Sequence, residues 1–101
     1  MDVQTIIENK ITAKFSVDFL AVENESFRHA VAANSQSHFK VTLVSPSFEN
    51  MLLITRHRLV NELLREQLAG EVHALALHTY TPAQWQRRNR KVPDSTNCLG
   101  G

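Results

Sequence analysis

Two strand-like stretches separated by one helical stripe constrain this chain more than any other feature. From His38 to Ser45 the residues alternate, with Phe39, Val41 and Leu43 on one side and His38, Lys40 and Thr42 on the other. From about residue 73 to 80 the run His-Ala-Leu-Ala-Leu-His-Thr-Tyr has few polar residues and reads as a well-buried third strand. Between them Leu59, Val60, Leu63, Leu64 and Leu68 form the apolar stripe of an amphipathic helix. Thr55 is placed to cap that helix, and Gly70 to stop it in a left-handed conformation. Strand, helix and strand in this order imply a parallel pair joined by a right-handed crossover.

The flanks complete the pattern. Val3, Ile6, Ile7 and Ile11 recur at helical spacing, which predicts a first helix over about residues 2–14. Phe15 to Val22 reads as a strand, with Val17, Phe19 and Ala21 on one face and Asp18, Leu20 and Val22 on the other. Asn24 to Ser37 is polar and aperiodic, and a connection that long in a small domain is usually functional or mobile. Pro46 ends the second strand, and residues 47–50 make a turn. Thr81-Pro82-Ala83-Gln84 is a capping-box sequence with proline at the first helical position, flanked by Tyr80 and Trp85 as a hydrophobic staple. The order α-β-β-α-β-α predicts an α+β sandwich with a three-stranded mixed sheet, its core on Ile7, Phe39, Leu59, Leu63 and Leu75. The small residues Ala74 and Ala76, on one strand face with His78 and Tyr80, are expected to admit a helix closely. Residues 1–91 form the domain and 92–101 a flexible tail rich in proline, polar residues and glycine.

Composition narrows the function classes. The 101 residues, 43% hydrophobic and 21% charged, suit one soluble domain. No apolar run approaches the ~18 residues that span a bilayer, and the N-terminus lacks the regions of a secretory signal. The single cysteine, Cys98, allows no internal disulfide and fits a reducing cytoplasm. It has no histidine near it in sequence, and no hydrolase, phosphate-loop or metal-hydrolase spacing is present, so no catalysis is expected. The net charge of +1 does not announce a nucleic-acid binder, but Arg87, Arg88, Arg90 and Lys91 put four cations in five positions. Such a patch can bind phosphate or simply complement a helix C-terminus. Arg56 and Arg58 add bidentate phosphate capacity near a helix start, or else pair with Glu49 or Glu62. Arg65 lies on the polar face of that helix, and Lys40 points outward from the second strand.

The blocks Thr55-Arg56-His57-Arg58-Leu59-Val60, Val72-His73-Ala74-Leu75-Ala76-Leu77-His78-Thr79-Tyr80-Thr81-Pro82 and Ser37-His38-Phe39-Lys40-Val41 together resemble the BolA family, over about residues 5–86. The resemblance implies a KH-like, type II fold with a helix-turn-helix-like segment. It also implies two roles. One is a DNA-binding transcriptional regulator of stress response and morphology, with Arg56, Arg58, Arg65, Lys40, Arg87 and Arg88 on double-stranded DNA. The other is partnership with a monothiol glutaredoxin around a shared [2Fe-2S] cluster, or an adaptor in cluster trafficking or iron sensing without DNA contact. For the cluster the resemblance implies His29 and His73 as ligands, the partner adding a cysteine and a glutathione thiolate; the isolated protein holds none. Apart from the resemblance, His29 reads as an exposed loop residue and His73 as a core-edge histidine satisfied by a carbonyl. A weak homodimer is allowed, and no membrane partner is expected. The Gly-x-x-Gly clamp of an RNA-binding KH module is absent, since the glycines are Gly70, Gly100 and Gly101. Asn34 and Asn50 stand where the family tends to have glycine, and asparagine tolerates positive φ.

Overall fold

The computed structural model describes residues 2–26 and 35–94. Helix α1 (Val3–Lys14) begins where the Asp2 carboxylate accepts the Thr5 N–H at 2.8 Å. It buries Val3, Ile7 and Ile11. The expected strand from Phe15 starts later, because Phe15 is the extended residue that ends α1 and its ring packs 5.3 Å from Phe48. Strand β1 (Phe19–Asn24) runs antiparallel to β2 (His38–Val44), and β2 pairs in parallel with β3 (Ala74–Tyr80). The sheet order is β1-β2-β3, so β2 is central and β3 is an edge.

The crossover between β2 and β3 departs from expectation at both ends. After a short 3-10 turn at Pro46–Phe48 the chain reverses at Asn50, whose φ is 62°. Helix α2 (Leu53–Leu63) therefore begins before Thr55, with Leu52 at its N-cap and no side-chain cap. The helix breaks at Leu64, and α3 (Arg65–Ala69) continues to Gly70. Gly70 ends it at φ −107°, so the expected left-handed stop is not used. Lys10 ties α1 to α3 through Glu66 at 3.0 Å and Gln67 at 3.1 Å.

One face of the sheet, with Val22, Phe39, Val41 and Leu43, packs on α1 and on Val60 and Leu64 of the crossover. The other face is also covered. Helix α4 (Pro82–Arg87) has the expected capping box, Thr81 with Gln84, and lays Trp85 against Phe19 at 4.8 Å and Tyr80 at 5.7 Å. Consequently Lys40 and Thr42, expected to face solvent, are buried. At the other end of this face Ala74 and Ala76 are exposed, so no helix among the described residues closes on them and β3 is less buried than its composition suggests.

Arg56 joins the layers. Buried on α2, it donates from Nε to the Met51 carbonyl (2.9 Å) and from Nη1 to the Thr79 carbonyl (3.2 Å) and Gln84 Oε1 (2.8 Å). Its guanidinium also lies 5.6 Å from the Phe48 ring centroid. Replacing it by methionine keeps the bulk but strands two carbonyls, at about 1–3 kcal/mol for each unsatisfied group. Arg56→Met is expected to lower unfolding stability by roughly 2–4 kcal/mol, read as a lower urea midpoint at unchanged m-value. A midpoint equal to that of wild type would show that the tie contributes nothing.

Candidate functional site

The connection between β1 and β2 is clamped where it leaves and re-enters the sheet. Ser26 Oγ accepts the N–H groups of Ser37 (3.0 Å) and His38 (3.1 Å), while Asn24 Nδ2 donates to the Ser35 carbonyl at 2.9 Å. The Asn24 carboxamide also accepts the Ser26 N–H at 3.0 Å. These clamp residues were not singled out in the sequence; serines near a strand start are a weak signal without knowledge of what they meet. His73 sits at this same end of the sheet. Its N–H, with that of Ala74, donates to the Ser37 carbonyl (2.8 and 3.1 Å), and the residue is exposed rather than packed at the core edge. His38, where the connection holding His29 returns, is beside Ala74 at the start of β3, and Asn24, where it leaves, pairs with Phe39 one strand further across the same end of the sheet. His29 and Asn34 themselves lie outside the described residues. Among the described residues no three His, Cys, Asp or Glu side chains come together to hold a metal ion.

The cationic candidates divide sharply. Arg56 is spent on the internal bonds described above and does not present its charge to solvent. Lys40 is 4% exposed; its Nζ lies 2.7 Å from the Pro93 carbonyl, 3.3 Å from Glu23 and 3.9 Å from Glu25. Neither is placed to reach a phosphate. Alternation alone misassigned Lys40, because the return of the chain over the second face is a tertiary event. Arg58, Arg65, Arg87 and Arg88 are exposed. Arg58 lies in the second turn of α2, since the helix starts at Leu53. Arg65 pairs with Glu62 at 2.9 Å. Arg88 lies 5.2 Å over the Tyr80 ring and donates to the Lys91 carbonyl, while Arg90, at φ 56°, donates to Gln86.

A family model described as BolA-like protein matches residues 11–84. The chain belongs to the BolA family. It is 50% identical over 99 residues to the DNA-binding transcriptional regulator BolA of Vibrio cholerae, covering 98% of this chain and 93% of that one. The protein of the same name from Escherichia coli is 46% identical, with 99% and 95% covered. Among solved structures, the solution structure of BolA1 from Mus musculus matches at TM-score 0.84 and 48% identity, over 99% of this chain and 80% of that one. The α+β sandwich with its mixed sheet is thus the fold of the family. Among the described residues no helix is long and apolar enough to cross a membrane.

Two other histidines of this BolA-family domain respond to burial. His57 is pulled below the ordinary imidazole pKa by burial and by the adjacent Arg56 charge. His78 is pulled down by burial, then by Lys40, Arg88 and His57, against an opposing pull from Glu25. Both folded pKa values are depressed, so the unfolded chain takes up protons first as pH falls. Their contribution is fully present above the ordinary imidazole value of 6.5 and is lost as pH falls through the lower folded values. Thermal melts of wild type and a His57→Gln/His78→Gln variant are expected to show a shallower acid loss in the variant between about pH 7 and 5. Identical slopes would place the acid sensitivity elsewhere.

Proposed function

We propose that this chain is a DNA-binding transcriptional regulator of the BolA kind, acting in stress response and morphology, that also partners a monothiol glutaredoxin. The observation carrying the DNA reading is the set of exposed guanidinium groups at Arg58, Arg87 and Arg88 in a chain matched along nearly its whole length by bacterial relatives bearing that name. Guanidinium groups engage phosphate bidentately, and such contacts set affinity and register through counterion release. Arg65 contributes less, because Glu62 already neutralises it. Each phosphate contact removed lowers the magnitude of the log–log salt slope by ~0.9. Arg58→Gln and the Arg87→Gln/Arg88→Gln pair are therefore expected to weaken duplex binding and flatten that slope, measured by fluorescence anisotropy across a salt series. Unchanged affinity and slope in both variants would remove these arginines from the DNA surface.

A second reading has its own support: exposed His73 stands at the sheet end where the connection holding His29 begins and returns. In that reading the two imidazoles would hold one side of a [2Fe-2S] cluster and a monothiol glutaredoxin with glutathione the other. Shared in this way, the cluster would supply iron-sensing or cluster-transfer chemistry without direct DNA binding by this chain. The backbone of His73 is fixed by Ser37, so His73→Ala is expected to abolish the shared cluster, and His29→Ala to leave a weaker or altered one. Anaerobic mixing with a monothiol glutaredoxin, glutathione, iron and sulfide, followed by visible circular dichroism, reads this directly. A wild-type heterocomplex spectrum from His73→Ala would reject the ligand assignment.

A further inference from the structure

The outer edge of β3 combines three features, of which only the arginines of the third enter the DNA reading above. First, its main chain is open. The N–H of Ala74 bonds to Ser37 and the carbonyl of Tyr80 accepts from Ser45, so residues 74, 76, 78 and 80 turn their peptide groups toward β2. Leu75, Leu77 and Thr79 turn theirs to the edge, where β3 has no neighbouring strand among the described residues. Among the described residues the Thr79 carbonyl alone of these groups has a partner, Arg56. Second, Ala74–Tyr80 contains no proline and no charged residue, the usual devices that keep an edge from pairing. Third, a groove of about 320 Å³ lies along the C-terminal part of this edge, lined by Leu53, Thr79, Tyr80, Gln84, Arg87 and Arg88. Thr79 and Tyr80 point to opposite faces of the strand. A groove touching both runs along the strand margin, between the start of α2 and α4.

The two rims of this groove differ. On the α2 side is Leu53, 58% exposed and flanked in sequence by the exposed Leu52 and Ile54. On the α4 side are Arg87 and Arg88, and among the described residues no acidic side chain lines the groove. We propose that this edge binds an extended acidic segment of a partner protein as a fourth strand. The segment pairs with the main chain of Leu75 and Leu77, rests an apolar side chain on Leu53, and sets a carboxylate against Arg87 and Arg88. Strand addition supplies affinity through main-chain bonds, and the side-chain pockets supply selectivity. Nucleic acid offers no strand main chain for the open peptide groups and no aliphatic side chain for Leu53, so a peptide fits the whole surface where a phosphate chain fits only its arginines.

The test uses the full chain and two labelled seven-residue peptides built of valine around a central leucine, one carrying glutamates and the other lysines at the same positions. The acidic peptide is expected to bind and to slow hydrogen exchange at the Leu75 and Leu77 amides, while the basic peptide binds at least about tenfold more weakly, a gap of roughly 1.4 kcal/mol. Leu53→Gln alters an exposed side chain and should leave the melting temperature unchanged. It is expected to weaken the acidic peptide severalfold without altering duplex DNA binding, whereas Arg87→Glu/Arg88→Glu should abolish peptide binding. Equal binding of both peptides, or binding without protection of Leu75 and Leu77, would overturn the proposal. So would sedimentation showing that a second copy of this chain occupies the edge.

Discussion

Burial of β2 on both faces is the constraint from which most of this structure follows. A central strand in a three-stranded sheet needs cover on each side, and the chain provides it with α1 and α2 below and α4 with the following residues above. The upper cover takes Lys40 out of water. A buried ammonium is tolerable only with compensating partners, and Glu23, Glu25 and the Pro93 carbonyl supply them. The chain is thereby held against the sheet as far as Pro93, well beyond the end of α4.

Arg56 answers a related problem on the other side. The start of α2, the end of β3 and the start of α4 converge where no single apolar side chain could satisfy the carbonyls of Met51 and Thr79. One guanidinium reaches both and also the Gln84 side chain that completes the α4 capping box. The same residue therefore fixes the geometry of the β3 edge groove while being withdrawn from it. Its charge serves packing, and exposed arginines such as Arg58 on α2, Arg87 on α4 and Arg88 just after it stay open to an external anion.

What could be read in the sequence was local. Spacing located α1, β2, the crossover helix and the capping box at Thr81, because helix period, strand alternation and cap chemistry are properties of a few neighbouring residues. Asn50 was recognised as a residue suited to positive φ, and it adopts 62°. The site was less legible. Exposure of His73 could not be separated from a core-edge role by spacing alone, and the Ser26 and Asn24 clamps depend on partners about eleven residues away.

The sequence by itself determined the order of elements and the parallel pairing of β2 with β3, since a strand–helix–strand run with these apolar faces has that economical closure. Only the tertiary structure decided which side chains are free. Arg56 and Arg58 are two residues apart on one helix, yet one lies under the Thr79 carbonyl and the other in solvent. Lys40 is buried because distant α4 and the residues after it return over its strand as far as Pro93, while Ala74 and Ala76 on the same face are exposed. Burial is a property of what packs against a face, and residues far away along the chain settle it.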